Sequence, residues 1–519
     1  MNKPLANSPK LPGLPAEPNL PPPPKGQVPA RPRVRPVDRS QLVWCAVDVE
    51  RLIEEDHPAR AIWALTGQLD LAGFLAPIEA VEGVAGRTPW DPRLLVSLWL
   101  YAYSRGVSSA REIARRCTFD PPFEWLCGRE PINYHTLSDF RTTHGPALQD
   151  LFVEVLAVLS AQGLVRLERV MHDGTKIKAC AGGGSFRREE RLQAHLQAAR
   201  EHVQALGESP GEEPTRQAAA QRRAVRERQQ RVEQALQELE QVRRAKKTPE
   251  DKEAARVSTT DAQARIMKQS DGGFAPSYNV QLSTEASHKI IVGVGVSQNG
   301  NDREELVGGV QRVEQNLQAK PSQVVVDGDF TSRENILAMA AQGIDLVGSW
   351  GDYHDCGTSR LQQRGVSPQF HPQAFTYEPE QRAYRCPAGQ WLRSVGRDYR
   401  PGIVHHKYRA AASLCQACAF KEQCCPQSQA RSISRTVEAP EVRQFLEKMQ
   451  TPQAKEIYRQ RAPVAEFPNA WIKAKLGLRQ FRLRGLVKVG LEALWACLTY
   501  NVQQWIRLCW RPSLTGTGS

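Results

Sequence analysis

The chain lacks any run of about eighteen apolar residues, the minimum for a helix that crosses a bilayer, so no membrane span is expected. Its N-terminus has no hydrophobic segment either, which argues against a secretory leader. Residues 1–38 instead carry many prolines, Pro21 to Pro24 among them, and are expected as a disordered, partly polyproline-II tail. Without a leader, the 12 cysteines are expected as reduced thiols or metal ligands in the cytoplasm, not as disulfides. No Walker-type loop, dinucleotide fingerprint or Ser-His-Asp pattern occurs, so neither ATP nor nicotinamide is expected.

What is present is an excess of positive charge. Lys and Arg number 69 against 56 Asp and Glu, giving a formal charge of +13. Such a balance points to a polyanionic partner, of which nucleic acid is the commonest. A length of 519 residues implies two to four domains.

Residues 39–165 read as helical. Asp91-Pro92 supplies a helix start, the apolar run Leu94 to Tyr103 follows, and Gly106 ends it. Ser109 with Glu112 forms a capping box for a second helix, and Thr136 is expected to start a third. A helix-turn-helix arrangement would turn Arg111, Arg115, Arg116, Arg141 and His144 toward DNA. A plain bundle with solvated arginines is the alternative.

Residues 166–350 carry a strand ending at Asp173, then the strands 277–284 and 289–297, a helix, the strand reaching Asp327, another helix and a last strand. That order predicts an α/β fold with a mixed sheet. A segment at 185–256 interrupts it. There Val225, Val232, Leu236, Leu239 and Val242 form a helical seam, so a helical hairpin insertion is expected. It contacts DNA, dimerises, or does neither. Residues 351–440 read as a second, Cys-rich insertion of loops and short strands. Residues 441–510 are helical, and 511–519 a flexible end.

Three acids stand out: Asp173 and Asp327 at strand ends, and Glu466 in a helical stretch beginning near Tyr458. Either aspartate alone would be read as a turn cap. Together with a helical Glu, two strand-end carboxylates can hold a pair of hard divalent cations for in-line phosphoryl transfer. Asp329 competes with Asp327, which is preferred because it directly ends the apolar run. His172, next to Asp173, faces the other side of its strand and reads as a packing residue.

Asp173-Gly174-Thr175-Lys176 and Asp327-Gly328-Asp329-Phe330 resemble the two aspartate motifs of DDE transposases with an RNase H-like core. Tyr458, Arg461, Glu466 and Lys473 resemble the Tyr-Arg-Glu-Lys signature of a branch found in many bacterial insertion sequences, with four residues instead of three between Arg and Glu. The resemblance implies an RNase H-like mixed-sheet core whose catalytic metal ligands are Asp173, Asp327 and Glu466, holding two Mg2+ or Mn2+ ions. It further implies phosphate contacts from Tyr458, Arg461 and Lys473; a surface salt-bridge helix is the other reading. The function implied is cleavage and strand transfer of double-stranded DNA at terminal inverted repeats, by a nucleoid-associated homo-oligomer. A catalytically inactive DNA-binding repressor and a structure-specific nuclease are the rival readings.

Five cysteines lie between Cys386 and Cys425. Cys386, Cys415 and Cys418, with Cys424 or Cys425, supply thiolates for a closed tetrahedral zinc site that would fold the insertion without cutting DNA. Unligated thiols are the alternative.

Overall fold

The computed structural model describes residues 44, 46–80, 88–207, 216–350, 361–401 and 403–510. The Pro-rich tail and the C-terminal end expected above lie outside the described residues. From Asp48 onward the chain forms one unit.

Its centre is a sheet of six strands: β1 (Arg169–Lys178), β4 (Arg265–Lys268), β5 (Phe274–Glu285), β6 (Ile291–Ser297), β7 (Gln323–Val326) and β8 (Asp345–Gly348). A separate two-strand ladder pairs β2 (Phe186–Arg187) with β3 (Val257–Ser258). In the main sheet the order is β4-β5-β1-β7-β8, with β6 also on β5. β5 runs antiparallel to β1, β4 and β6, whereas β1, β7 and β8 are parallel. The expected mixed sheet is therefore present. β4 escaped the sequence reading, because only Met267 of its four residues is buried.

Side-chain alternation along the strands decides what meets what. Val324 and Val326 pack on one face with Leu306, Phe330, Ile336 and Phe445. Val325, with Met171 and Val347, packs on the other against Val464 and Ala465. Helices α8 (Glu305–Leu317) and α9 (Arg333–Ala341) supply the first face, with Phe445 from α10 (Pro440–Gln450). The second is covered by α11 (Pro452–Arg459) and α12 (Arg461–Ala474). Pro463, in the first turn of α12, has no N–H to continue the preceding helix, and the chain restarts at Arg461.

Between β1 and β5 stand two helices, α6 (Glu189–Gly207) and α7 (Arg216–Ala245). Their base holds a small core of Leu192, Ala235, Leu239, Val257 and Ala262, tied by Arg243–Glu189 at 2.7 Å and Arg265–Glu238 at 2.6 Å. Val232 and Leu239 of the expected seam are buried there.

The N-terminal helices are α1 (Pro58–Thr66), α2 (Pro92–Ser104), α3 (Ala110–Arg116), α4 (Tyr134–Thr143) and α5 (Gly145–Ala161). Asn133, not Thr136, caps α4 by accepting from the His135 N–H at 2.9 Å. A helical segment at Pro121–Leu126 fills the link between α3 and α4, so they are not consecutive members of a helix-turn-helix. The long last helix α13 (Leu486–Leu508) joins this bundle to the sheet: Trp495, Leu498 and Val502 share one core with Trp99, Phe152, Val280 and Ile291.

The Cys-rich segment is more regular than its sequence suggested. It forms a five-stranded antiparallel sheet, β13-β12-β11-β10-β9, from β9 (Thr376–Glu378), β10 (Ala383–Arg385), β11 (Trp391–Arg400), β12 (Ile403–Ala410) and β13 (Ser432–Glu438). Its strands are polar on exposed faces, which hid them from a search for apolar alternation. Among the described residues no helix is long and apolar enough to cross a membrane.

Candidate active site

Parallel pairing of β1 with β7 matches Met171 to Val325. Two residues further along come Asp173 and Asp327, on the face beneath α12. β7 ends just before Asp327, but β1 runs on to Lys178. Asp173 therefore lies mid-strand, opposite Leu282 of β5, which corrects the expectation that it ends its strand. Asp327 O δ1 accepts the Asp329 N–H at 2.9 Å, which fixes the turn and assigns Asp329 to it. Burial raises both carboxyls, Asp173 to about 6; Arg461 pulls Asp173 back down, and neighbouring Asp327 pushes it further up.

Helix α12 brings four polar side chains to this edge. Arg461 lies 3.8 Å from Asp173 and 4.0 Å from Glu466. Asn469 donates to Asp173 Oδ2 at 3.1 Å. Lys473 Nζ donates to Thr175 Oγ1, and burial lowers its pKa. Positions 461, 469 and 473 follow a four-residue ladder, and Glu466 projects about 140° around the helix from Arg461. Glu466 reaches the aspartates through Arg461, and its side chain is 64% exposed. Tyr458 packs with Ile457 against the Met171–Val325–Val347 cluster beside the strand ends.

The sequence reading missed Asn469. Its four-residue spacing from Lys473 and eight-residue spacing from Arg461 are the signal that could have found it. His172 occupies the opposite face, as expected. It is buried, bonds to Ser283 Oγ at 2.9 Å, packs edge-on to Phe330, and is lowered to about 3 by burial.

The N-terminal arginines divide. Arg141 does not face outward: it is 5% exposed, donates to the Ser108 carbonyl at 2.8 Å, and lies 4.7 Å from the Trp99 ring. Its place on the inner face of α4 corrects the expectation that it meets DNA. His144 likewise packs on Phe74 and Phe140. Arg115 and Arg116 both pair with Glu112 at 2.9 Å, and Arg111 stacks over Tyr134.

Cys386, Cys415, Cys418, Cys424 and Cys425 line one small cavity of about 30 Å³. The Gln390 N–H donates to Cys386 Sγ at 3.2 Å and the Arg431 N–H to Cys415 Sγ at 3.4 Å. Burial pushes the Cys424 thiol up to about 12. As placed, neither these thiols nor the acidic trio is closed: among the described residues no group of three or more Cys, His, Asp or Glu is arranged to hold a metal ion.

Two family models match the chain. Residues 385–506 match the transposase DDE domain, and residues 47–143 match a transposase domain, DUF772. The first match spans α12 with Glu466, and the second spans α1 to α4. A comparison with curated proteins finds no match.

Proposed function

We propose that this DDE-type insertion-sequence transposase cuts and joins DNA strands at the sheet edge formed by Asp173 and Asp327, with Glu466 as the third carboxylate. The observation that carries the reading is the pairing of β1 with β7, which sets two half-buried carboxylates on one face beneath a helix bearing Arg461, Asn469 and Lys473. The strand order, antiparallel through β5 and parallel through β7 and β8, supports an RNase H-like core for it.

The donor set fits magnesium or manganese, since it offers hard carboxylate oxygens and no thiolate or imidazole. Two such ions, held by Asp173, Asp327 and Glu466, would supply charge stabilisation at the attacking and leaving oxygens of an in-line displacement. The chain's own groups do the rest. Asn469 orients the Asp173 carboxylate, and Arg461 holds Glu466 at the rim while neutralising the half-buried aspartate. Lys473 and Tyr458 lie where they meet phosphates flanking the scissile bond. Pairing of two element ends calls for a homo-oligomer in the working complex.

The test is a cleavage assay with magnesium or manganese on DNA from both flanks of the gene, comparing the wild type with Glu466→Ala. Specific 3′-hydroxyl ends at flanking repeats, lost in the variant, are expected. Specific binding without cutting would replace this reading with a DNA-binding repressor, and cutting that follows DNA shape elsewhere would replace it with a nuclease.

A further inference from the structure

We propose that the face of the β11–β12–β13 sheet carrying Arg397, His406 and Arg435 is a docking surface for the phosphodiester backbone of double-stranded DNA. The choice of polyanion rests on the DNA-cutting reading above.

The sheet is held at its two ends. At one end Leu392, Tyr408 and Ile433 are buried with Phe375 beside the thiol cavity. At the other, Glu438 of β13 pairs with Arg333 of α9, six residues beyond Asp327. Between these anchors most side chains are exposed: Val395 is 62% exposed and Tyr399 69%. A stretch so uncovered gains little from burial, and its arginines stay in solvent, Arg435 lying over the Tyr377 ring at 4.3 Å.

Those charges are arranged against the stability of the sheet itself. Register places Arg397 opposite His406 and His406 opposite Arg435, a cross-strand row with two arginines flanking a histidine. Arg393 stands directly opposite Arg409, but on the other face of the sheet, since Arg409 is three residues from His406 along β12. Like charges directly opposite each other weaken a ladder. The acids of these strands are engaged elsewhere: Asp398 with Arg400 at 3.3 Å and Lys407 at 3.7 Å, and Glu438 with Arg333. Among the described residues, Arg393, Arg397, Arg409 and Arg435 have no carboxylate partner. A polyanion laid along the Arg397–His406–Arg435 row relieves the repulsion between its cations. A second copy packed face to face would bring cation rows together and increase it. The anchor at Arg333 puts the surface next to the Asp327 turn.

The test uses the full-length chain and a fluorescent duplex of unrelated sequence, titrated by anisotropy across a range of salt. The variants are Arg397→Ala/Arg435→Ala and Arg393→Ala/Arg409→Ala, each with its Arg→Lys counterpart to show that charge is what counts. Arg397→Ala/Arg435→Ala is expected to weaken binding at least tenfold at low salt and to reduce the slope of log affinity on log salt by roughly 1.8, or about 0.9 per lost phosphate contact. Arg393→Ala/Arg409→Ala, on the other face, should change the slope little. Arg397→Lys/Arg435→Lys should restore the slope, at an unchanged melting temperature. Wild-type affinity and slope in Arg397→Ala/Arg435→Ala would overturn the proposal, as would loss of self-association in place of DNA binding. If the wild type binds duplex through these arginines yet never cuts with magnesium, this surface stands and the cutting reading falls. If Arg397→Ala/Arg435→Ala binds normally and the wild type cuts, the reverse holds.

Discussion

Replacing Arg141 by alanine separates a structural arginine from a DNA-contacting one. Its guanidinium is enclosed by Tyr103, Trp99 and the Ser108 carbonyl, and its charge acts on Glu492, which is 0% exposed. Burial raises the Glu492 carboxyl, while Arg141 and the Arg482 and Leu483 N–H groups pull it down. Removing one member of a buried charge pair costs about 3–5 kcal/mol, because the other is left uncompensated. Here Glu492 keeps its two N–H donors, at 3.0 and 2.9 Å, so the lower end, about 3 kcal/mol, is expected. That is a large part of the ~5–15 kcal/mol that a domain has in total. The loss should grow as pH rises, since a raised carboxyl costs nothing while protonated and its full penalty once ionised. Urea unfolding followed by tryptophan fluorescence measures it. Glu492→Gln added to Arg141→Met should recover part of the loss, because both charges are then gone. If Arg141→Ala unfolds at the wild-type urea midpoint yet binds DNA poorly, the structural assignment is wrong and Arg141 returns to the DNA-facing set.

The remaining expectations concern the catalytic edge and the thiols. With Asp173 raised to about 6, its ionisation penalty is absent below pH ~4 and complete above about 6, so wild-type stability in chelator should fall across that window. Asp173→Asn should flatten the fall in thermal melts; an unchanged pH profile would refute it. Asn469→Ala should lower the rate of strand cleavage by about 10-fold or more at unchanged DNA affinity, consistent with an orienting role; wild-type single-turnover rates would remove it from the site. A zinc ion held by Cys386, Cys415, Cys418 and Cys424 is expected to appear as one equivalent in elemental analysis of the purified chain and to be lost in Cys415→Ser. Metal-free protein with the wild-type melting temperature would leave the cysteines as plain thiols.

Much of the core was legible because burial writes itself into sequence. Val324, Val325 and Val326 are apolar on both faces of β7, as a strand covered by helices on each side must be, and the helical seam of α7 shows in Val232 and Leu239. Where function or exposure dominates, that link fails. β11 to β13 carry arginines and histidines where an alternating apolar face would have announced strands, so the segment read only as loops and short strands, not as one sheet. Arg141 looks like its neighbours Arg115 and Arg116 in sequence. Only packing of α4 against α2 shows that one arginine turns inward while the others stay at the surface.

The catalytic edge lies between these cases. Two aspartates that follow apolar runs can be found from sequence, although β1 continues past Asp173 to Lys178, and their meeting depends on parity. Asp173 shares its face with Met171 and Asp327 with Val325, and both therefore turn toward Val464 and Ala465 of α12. A shift of one residue in the β1–β7 register would send one carboxylate to the opposite face, among Phe330 and Ile336, where nothing could use it. The same argument explains Asn469. It is neither an acid nor a base, so no search for catalytic residue types selects it, yet on the inner face of α12 it is the side chain that bonds to Asp173. The spacing of a helix face, read together with the parity of the strand beneath it, carries more information about this site than the residue types alone.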